Sequence, residues 1–537
     1  MKKTIAYLLT VFLLTGLMTG CRAEQGSPQT ENETKEGSAN AGDDDDSEAS
    51  DVTAAASEGT SASSEDAAVS EPGSEKNLLN IYCFGEDFKS RVQDFYPDYV
   101  PLGDDTGVIV DTTIRWHIFT DEAEYREILD EKLERQLAAL ERDKAADQES
   151  SAFADTASEG ASSEISEPVE PVSPEDRIDL YVVGENYLRD YVEKGYSLDV
   201  IEDVGLTTQD LADQFPYTQQ MALDKEGRLK AVTWQATPGV FAYRRSIAVE
   251  VLGTDDPEKV QEAVSDWDAF AKTAELAAEE GYYMLSGYDD AYQVYADNVS
   301  SPWVEDGYLN IDPHLEEWAV QTREFAENGY IHGTEQWSDE WREDHTGDGE
   351  VFGFFYSSWG IQYTLQNKAE GNTESEEESD VTSAAGDYAV CKGPEPSHFG
   401  GQWIIAAPGS GDTERIRSIM RTMTCDHAVM KKITSDIHEF TNTVSGMKEL
   451  AESDYKAEVL GGQNPLPVFV EVAQELNQRY LTSYDDDLDT GFQVSMQDYF
   501  LGRTSQTDAL ELFRKVALSR YEELMDRGDE EPEEEEE

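Results

Sequence analysis

The chain has 537 residues, and its 115 Asp and Glu outnumber 40 Lys and Arg to leave a formal net charge of −75. That length is enough for two or more domains, and that charge makes nucleic acid and anionic membrane surfaces poor partners. Cys83, Cys391 and Cys425 are far apart and offer neither a disulfide framework nor a Cys-x-x-Cys metal or redox site, so they read as buried thiols.

In chain order, residues 1–20 read as an export signal. Lys2-Lys3 supply the positive end, and the apolar run from Ile5 to Met18 is too short to span a bilayer comfortably. It ends at Met18-Thr19-Gly20-Cys21, which resembles a bacterial lipobox and makes Cys21 the expected lipidation site. Residues 22–76 contain no aromatic, and Ser, Ala, Gly and acid dominate them, including Asp43 to Asp46. Such a segment cannot bury enough surface to offset its conformational entropy. It reads as a disordered acidic tether with a reach of about 40 Å. Acidic low-complexity stretches at 147–176 and 370–386 and an acidic tail follow, yet these segments hold less than half of the net charge. The folded body is therefore acidic as well.

Folding is expected to begin near Leu78. Leu78 to Phe84 reads as a buried strand, followed by a helix around Phe88, Val92 and Phe95. Thr113 to Phe119 gives a second strand, and Thr120 or Asp121 caps a helix through Leu140. Asp179 to Val183 is another short strand, with a helix from Tyr187 to Lys194 behind it. Strand–helix alternation argues a parallel sheet with helices on its faces, whose ligands sit beyond the carboxyl ends of the strands. Leu229 to Arg245 then combines a β-leaning run ending in Trp234, a Thr237-Pro238-Gly239 turn, and the apolar run Val240 to Tyr243. It reads as a crossing between two lobes, and Arg244-Arg245 as partners of nearby acids.

Beyond the crossing the pattern turns helical. Asp256-Pro257 starts one helix, and Ser265 or Asp266 starts another that buries Trp267, Phe270 and Ala274. Tyr282 to Asp290 reads as a strand and polar loop, Val351 to Gly360 as a strand ending in Tyr356 and Trp359, and His398 to Ala407 as a second crossing. A helix starts at Asp412 or Thr413, and the closing section opens at Asn464-Pro465, with helices over Phe469 to Leu476 and Asp508 to Arg520. Asp485 to Gly491 suggests a calcium loop, but Thr490 stands where the glycine belongs and Met496 where the bidentate glutamate belongs. It reads as a solvated loop. His345 and His398 lack zinc spacing, so no metal and no cofactor is implied.

The order of these segments over roughly 77–526 resembles the extracellular solute-binding proteins of carbohydrate ABC transporters, the maltose-binding-protein-like group. The matching segments are Ile81 to Asp87, Asp179 to Leu198, Gly227 to Val232, Phe241 to Arg245, Asp266 to Phe270, Ser357 to Gly360 and Asp508 to Glu511. Tyr-Arg-Arg and Ser-Ser-Trp depart from the group's Tyr-Asn-Lys and Gly-Pro-Trp, so the sugar's identity does not carry over. The resemblance implies an α/β, two-lobed periplasmic-binding-protein-like fold of type II, with a ligand cleft between lobes joined by hinge strands. With the signal peptide read at 1–20 and the lipidated cysteine and tether at 21–76, it places lobe one at 77–238 with its insert at 147–176. Lobe two follows at 239–398 with its insert at 370–386, then lobe one again at 399–460, C-terminal helices at 461–526 mainly in lobe two, and a tail at 527–537.

Sugars offer paired hydroxyls and weakly apolar faces, which call for planar carboxylates or amides and for aromatic rings. The residues expected to meet them are Phe84, Glu86, Glu185, Asn186 and Trp403 from lobe one and Trp234, Gln235 and Thr237 from the crossing. Tyr288, Asp289, Tyr356 and Trp359 come from lobe two. The expected role is a monomeric, lipid-anchored receptor on the outer face of the bacterial cytoplasmic membrane. It captures a carbohydrate, an oligosaccharide by this reading, hands it to ABC transporter permease subunits and catalyses no reaction. The competing readings are a secreted glycan-active enzyme and a surface adhesion or scaffold lipoprotein.

Overall fold

Leu78–Phe84 (β1) is buried along nearly its whole length, as a strand covered on both faces must be. The computed structural model describes residues 78–155, 172–365 and 383–526; the signal peptide, Cys21, the tether and the tail lie outside them. After the helix Asp87–Phe95 come Tyr99–Gly103 (β2), Thr106–Ile109 (β3) and Thr112–Phe119 (β4), then Leu180–Gly184 (β5). β1 runs parallel to both β4 and β5, as the strand–helix alternation requires. β2 and β3 form an antiparallel hairpin on the edge of β4, an addition that the expected alternation did not contain.

Lobe two is built on Gly239–Arg244 (β6). The short strands Val304–Glu305 (β7) and Tyr308–Leu309 (β8) follow, then Gly353–Ser357 (β9), Tyr388–Cys391 (β10), Gln402–Ala406 (β11) and Met525–Asp526 (β12). β11 returns to lobe one and pairs antiparallel with β5, which completes the order β11-β5-β1-β4-β3-β2. β10, β6 and β9 form the second sheet, and β12, β8 and β7 a third. β6 and β10 show the period of two that separates their faces. Val240, Ala242, Tyr388 and Val390 join the lobe-one core, whereas Phe241, Tyr243, Ala389 and Cys391 join the lobe-two core. The helix Leu466–Glu475 places Leu466, Phe469 and Val470 in the first of these clusters.

Several local expectations change. The helix that starts at Glu122 runs to Asp155, into the region read as a disordered insert. Residues 172–176 form a turn in which Ser173 Oγ donates to Asp176, and Ala384, inside the second stretch read as an insert, is buried. Asp485 to Gly491 is no loop; it opens the helix Asp485–Phe500. Tyr282 to Asp290 makes only isolated bridges, Tyr283 with Val351 and Leu285 with Ile331. Arg244 does pair with acid, at 2.8 Å from Asp387, and Arg245 lies 3.3 Å from Asp255.

Trp234 and Trp403, expected as stacking faces, are fully buried beneath the hinge. The Trp234 ring lies 5.2 Å from that of Phe88, its Nε1 donates to Glu439 at 3.2 Å, and Trp403 Nε1 donates to the Thr218 carbonyl. Both indole nitrogens bond inward, and neither ring is left a face to offer a ligand. Glu439 also accepts from Arg91 Nε at 2.7 Å and Gln235 Nε2 at 2.5 Å, and its side chain is only 3% exposed. Removing it takes the shared carboxylate away from a buried guanidinium and two further donors. Glu439→Ala is therefore expected to destabilise the chain by about 3–5 kcal/mol in urea unfolding followed by tryptophan fluorescence. A loss below about 1 kcal/mol, the range of surface pairs, would show that solvent takes over this role.

Candidate ligand-binding crevice

The lobes are joined where two extended segments run against each other. Pro238 bridges to His398, Gly239 N donates to the Ser397 carbonyl at 2.5 Å, and Phe399 N donates to the Thr237 carbonyl at 3.1 Å. The return segment then touches lobe one, because Glu185 N donates to the Gly401 carbonyl at 3.1 Å. A third crossing, between the helices Leu466–Glu475 and Asp485–Phe500, is fixed where Gln478 N donates to Gln220 Oε1 at 2.9 Å. Two glycines are required on the return segment. Gly400 has φ +71° and a Cβ there would sit 3.1 Å from Trp359 Nε1; Gly401 has φ +127° and a Cβ there would sit 3.1 Å from the Trp403 ring.

The lobe-one wall lies at the carboxyl ends of β1 and β5. Phe84, Gly184 and Gln402 line a small recess with Tyr125, Arg126 and Tyr187, and the Arg126 guanidinium stacks 3.7 Å over the Tyr187 ring. Glu86 is exposed at this rim beside Lys89, and Asn186 is exposed next to Glu185. Asp87 accepts from Gln402 Nε2 at 3.4 Å, and burial first, then Glu439, raises its carboxyl above the usual range against the opposing pull of Arg91. On the opposite side the indole of Trp359 lies on Phe399, with centroids 6.1 Å apart and planes at 28°, and its Nε1 donates to the Phe399 carbonyl at 2.9 Å. Phe399 is 48% exposed, the clearest open aromatic face at the crossing.

Of the expected contacts, the structure brings Phe84, Glu185 and Trp359 to the crevice, with Glu86 and Asn186 on its rim. Gln235 and Thr237 form the floor: Gln235 Oε1 accepts from Gln402 N, and Thr237 donates from Oγ1 to the Gly400 carbonyl and from N to Tyr217. Tyr356 turns into lobe two, where its hydroxyl lies 2.8 Å from His345 Nε2. Asp289 sits 3.3 Å from Gln497 Nε2, and Tyr288 packs on Phe500. Gln497 stands about 17 Å along its helix from Asp486, the residue that faces lobe one. Tyr288 and Asp289 therefore lie away from the rim. Sequence reasoning missed Phe399, Arg126, Tyr187, Gln402 and His398. Phe399 had a legible signal in its position directly before the glycine pair.

The first turn of the helix Asp485–Phe500 brings more acid to this face. Desolvation, and then mutual repulsion, pushes Asp486 up to about 6 and Asp489 up to about 8, and desolvation pushes Asp485 up to about 7. Arg126 opposes the rise at Asp486, while Asp190 and Glu185 of lobe one add to it. Asp489 accepts from Trp303 Nε1 at 2.9 Å and from the Tyr292 hydroxyl.

No family model and no curated protein matches the sequence. Solved structures do match its fold. An extracellular solute-binding protein of family 1 superposes with a TM-score of 0.63 at 13% identity, covering 82% of this chain and 99% of its own. The galacto-N-biose/lacto-N-biose I-binding protein of an ABC transporter from Bifidobacterium longum, in complex with lacto-N-biose, gives 0.55 at 13% identity over 83% and 98%. The sugar-binding protein MalE of Xanthomonas citri gives 0.55 at 13% identity over 82% and 96%. The chain has the two-lobed α/β fold of these solute-binding proteins, as the order of its sequence segments implied.

The acid-rich helix start carries a pH dependence. Its three carboxyls hold their protons to higher pH in the folded chain than in an unfolded one, where Asp titrates near ~3.9. Their contribution to stability is complete below that pH and is lost as the pH rises through about 6 to 8. Asp486 keeps solvent exposure, which screens its share. Asp489→Asn is expected to raise the unfolding temperature relative to the parent chain at pH 8.5 more than at pH 5, read by calorimetry. An equal shift at both values would mean that Asp489 is ionised throughout.

Proposed function

We propose that this chain is an extracellular substrate-binding lipoprotein that captures a carbohydrate by hinge closure and delivers it to an ABC permease. The observation that carries the reading is the exposed Phe399 face stacked on Trp359 at the hinge, opposite a rim of Phe84, Glu185 and Gln402. Rings cover the apolar faces of a sugar, and the carboxylate and amide take its hydroxyls in pairs. Structural neighbours of the same fold hold sugars: one binds lacto-N-biose and another, from B. animalis subsp. lactis Bl-04, β-1,6-galactobiose. Closure follows from ligand contacts that only the closed lobes make together. Lipidation at Cys21 would hold the receptor at the outer face of the cytoplasmic membrane, and the tether would let it reach the permease. The chain itself catalyses nothing on this reading.

The test is thermal unfolding of the full chain against mono- and oligosaccharides, with peptides and polyols as controls. A solute at about a hundred times its dissociation constant adds roughly 2.7 kcal/mol, and it should be recovered unchanged. Cleavage of the hit would give the case to an enzyme, and silence from every sugar would sink the carbohydrate reading. Trp359→Ala and Phe399→Ala are each expected to weaken the hit about ten-fold or more by isothermal calorimetry, the range of buried aromatic anchors. Tyr288→Ala should leave affinity unchanged, because Tyr288 packs away from the rim on Phe500.

A further inference from the structure

His398 stands where all three crossings meet. It bridges to Pro238 of the first, belongs to the second, and has the Gln478 amide of the third 3.2 Å from its Nδ1. Its ring is 2% exposed, and each ring nitrogen faces a carboxylate from a different lobe. Asp297 of lobe two lies 3.0 Å from Nδ1 and also accepts from the His398 backbone N at 2.6 Å. Glu185 of lobe one approaches Nε2 to 2.6 Å, close enough for an ion pair though not aligned as a hydrogen bond. The Asp297 side chain is only 4% exposed, and Glu185 21%. Two carboxylates facing one site this far from water are stabilised by a positive charge between them.

We infer that protonated His398 is an electrostatic tie across the hinge, holding Glu185 of lobe one and Asp297 of lobe two to one ring, so that separation of the lobes depends on its proton. Opening the crevice must pull at least one carboxylate off the imidazolium. The inference stands on the fold and the hinge, and it holds whether or not the solute is a sugar. The groups facing the ring are Glu185 from the helix Glu185–Glu193, Asp297 after the helix Tyr292–Ala296, Gln478, and the phenol of Tyr217, whose ring centroid is 5.5 Å away. Burial raises the Tyr217 phenol, which therefore stays neutral across the physiological range. Burial alone would lower the imidazole, but Asp297 and Glu185 outweigh it and hold His398 well above the ordinary value. The tie is complete below about 6.5, where a free histidine gains its proton, and is lost as the pH climbs through the raised value of the tied arrangement.

The experiment uses the full chain. Nitrogen-15 histidine side-chain spectra are recorded from pH 5 to 9, and His398→Gln identifies the His398 signals among the seven histidines. The expected result is one imidazole that keeps both protons at pH 7.5, where an ordinary histidine has lost one. Hydrogen exchange then compares the parent with His398→Gln and Glu185→Gln at pH 7. Amides across the hinge, those of Glu185, Gly239 and Phe399, should exchange at least about ten-fold faster in both variants, while those of β1 keep their rate. A neutral His398 at pH 7.5 in the parent chain overturns the tie, and that measurement needs no variant to remain fully folded. Uniformly faster exchange, β1 included, also overturns it, since a residue that only fills space would loosen the whole molecule.

Discussion

The two extended crossings at the hinge hydrogen-bond to each other, and the crevice exists because they do so with small side chains beside large ones. Gly239, Gly400 and Gly401 bring backbone against backbone, and the space they leave is filled by Ser397, Trp359 and Trp403 in turn. Backbone bonds such as Gly239 N to Ser397 satisfy groups that would otherwise be stranded at a partly buried junction. They also fix which way the neighbouring side chains face. Phe399 is left open between the lobes, while Thr237 is drawn down onto Tyr217 and the Gly400 carbonyl. Aromatic exposure at the crossing is thus a consequence of register, not of any single residue's preference.

From that junction β6 runs into lobe two with one face in each core. This is why the second lobe does not hang on a flexible linker: Val240 and Ala242 pack with lobe-one residues, and Phe241 and Tyr243 pack with Phe270 and Phe352. The acid load is partly absorbed in the same framework. Asp256, Asp266, Asp312, Asp412 and Asp426 each accept a backbone N–H at a helix start, where a negative charge also suits the helix dipole. A chain with a net charge of −75 can fold because many of its carboxylates have such local partners.

What was legible in the sequence follows from range. β1, β5 and β6 are nearly continuous apolar runs, β4 alternates buried with half-buried residues, and Asp256-Pro257 and Asp266 are local caps, so each could be read from a few consecutive residues. The hairpin of β2 and β3 could not, because exposed Val100, Pro101 and Leu102 show no buried face. Trp403 sits at the start of β11 and Trp234 in a bend between two isolated bridges, places where a ring can face a ligand or the core. What decides is a helix carrying Phe88 and a carboxylate at Glu439, one 146 residues before Trp234 and the other 205 after it. The helix start at Asp485 was hidden by its resemblance to an ion-binding loop. Its three acids suit a helix N-terminus, which local spacing alone does not distinguish.

Opposing electrostatic terms remain at the face between the lobes. Asp486 meets Asp190 across it, with Arg126 as the cation set against them, and Arg126 is shared with Tyr187 and with Asp190 at 3.4 Å. That surplus of carboxylate pushes the lobes apart once its groups ionise. Deeper in, Glu185 and Asp297 converge on His398 with little solvent to screen them. Coulomb interactions scale inversely with the local dielectric, so a contact at the buried junction outweighs one of equal length at the open mouth. The two terms also act at different lever arms: repulsion at the mouth works over the full opening of the crevice, whereas attraction at the pivot changes little until a contact breaks. A hinge built on these two terms resists small excursions and yields to large ones.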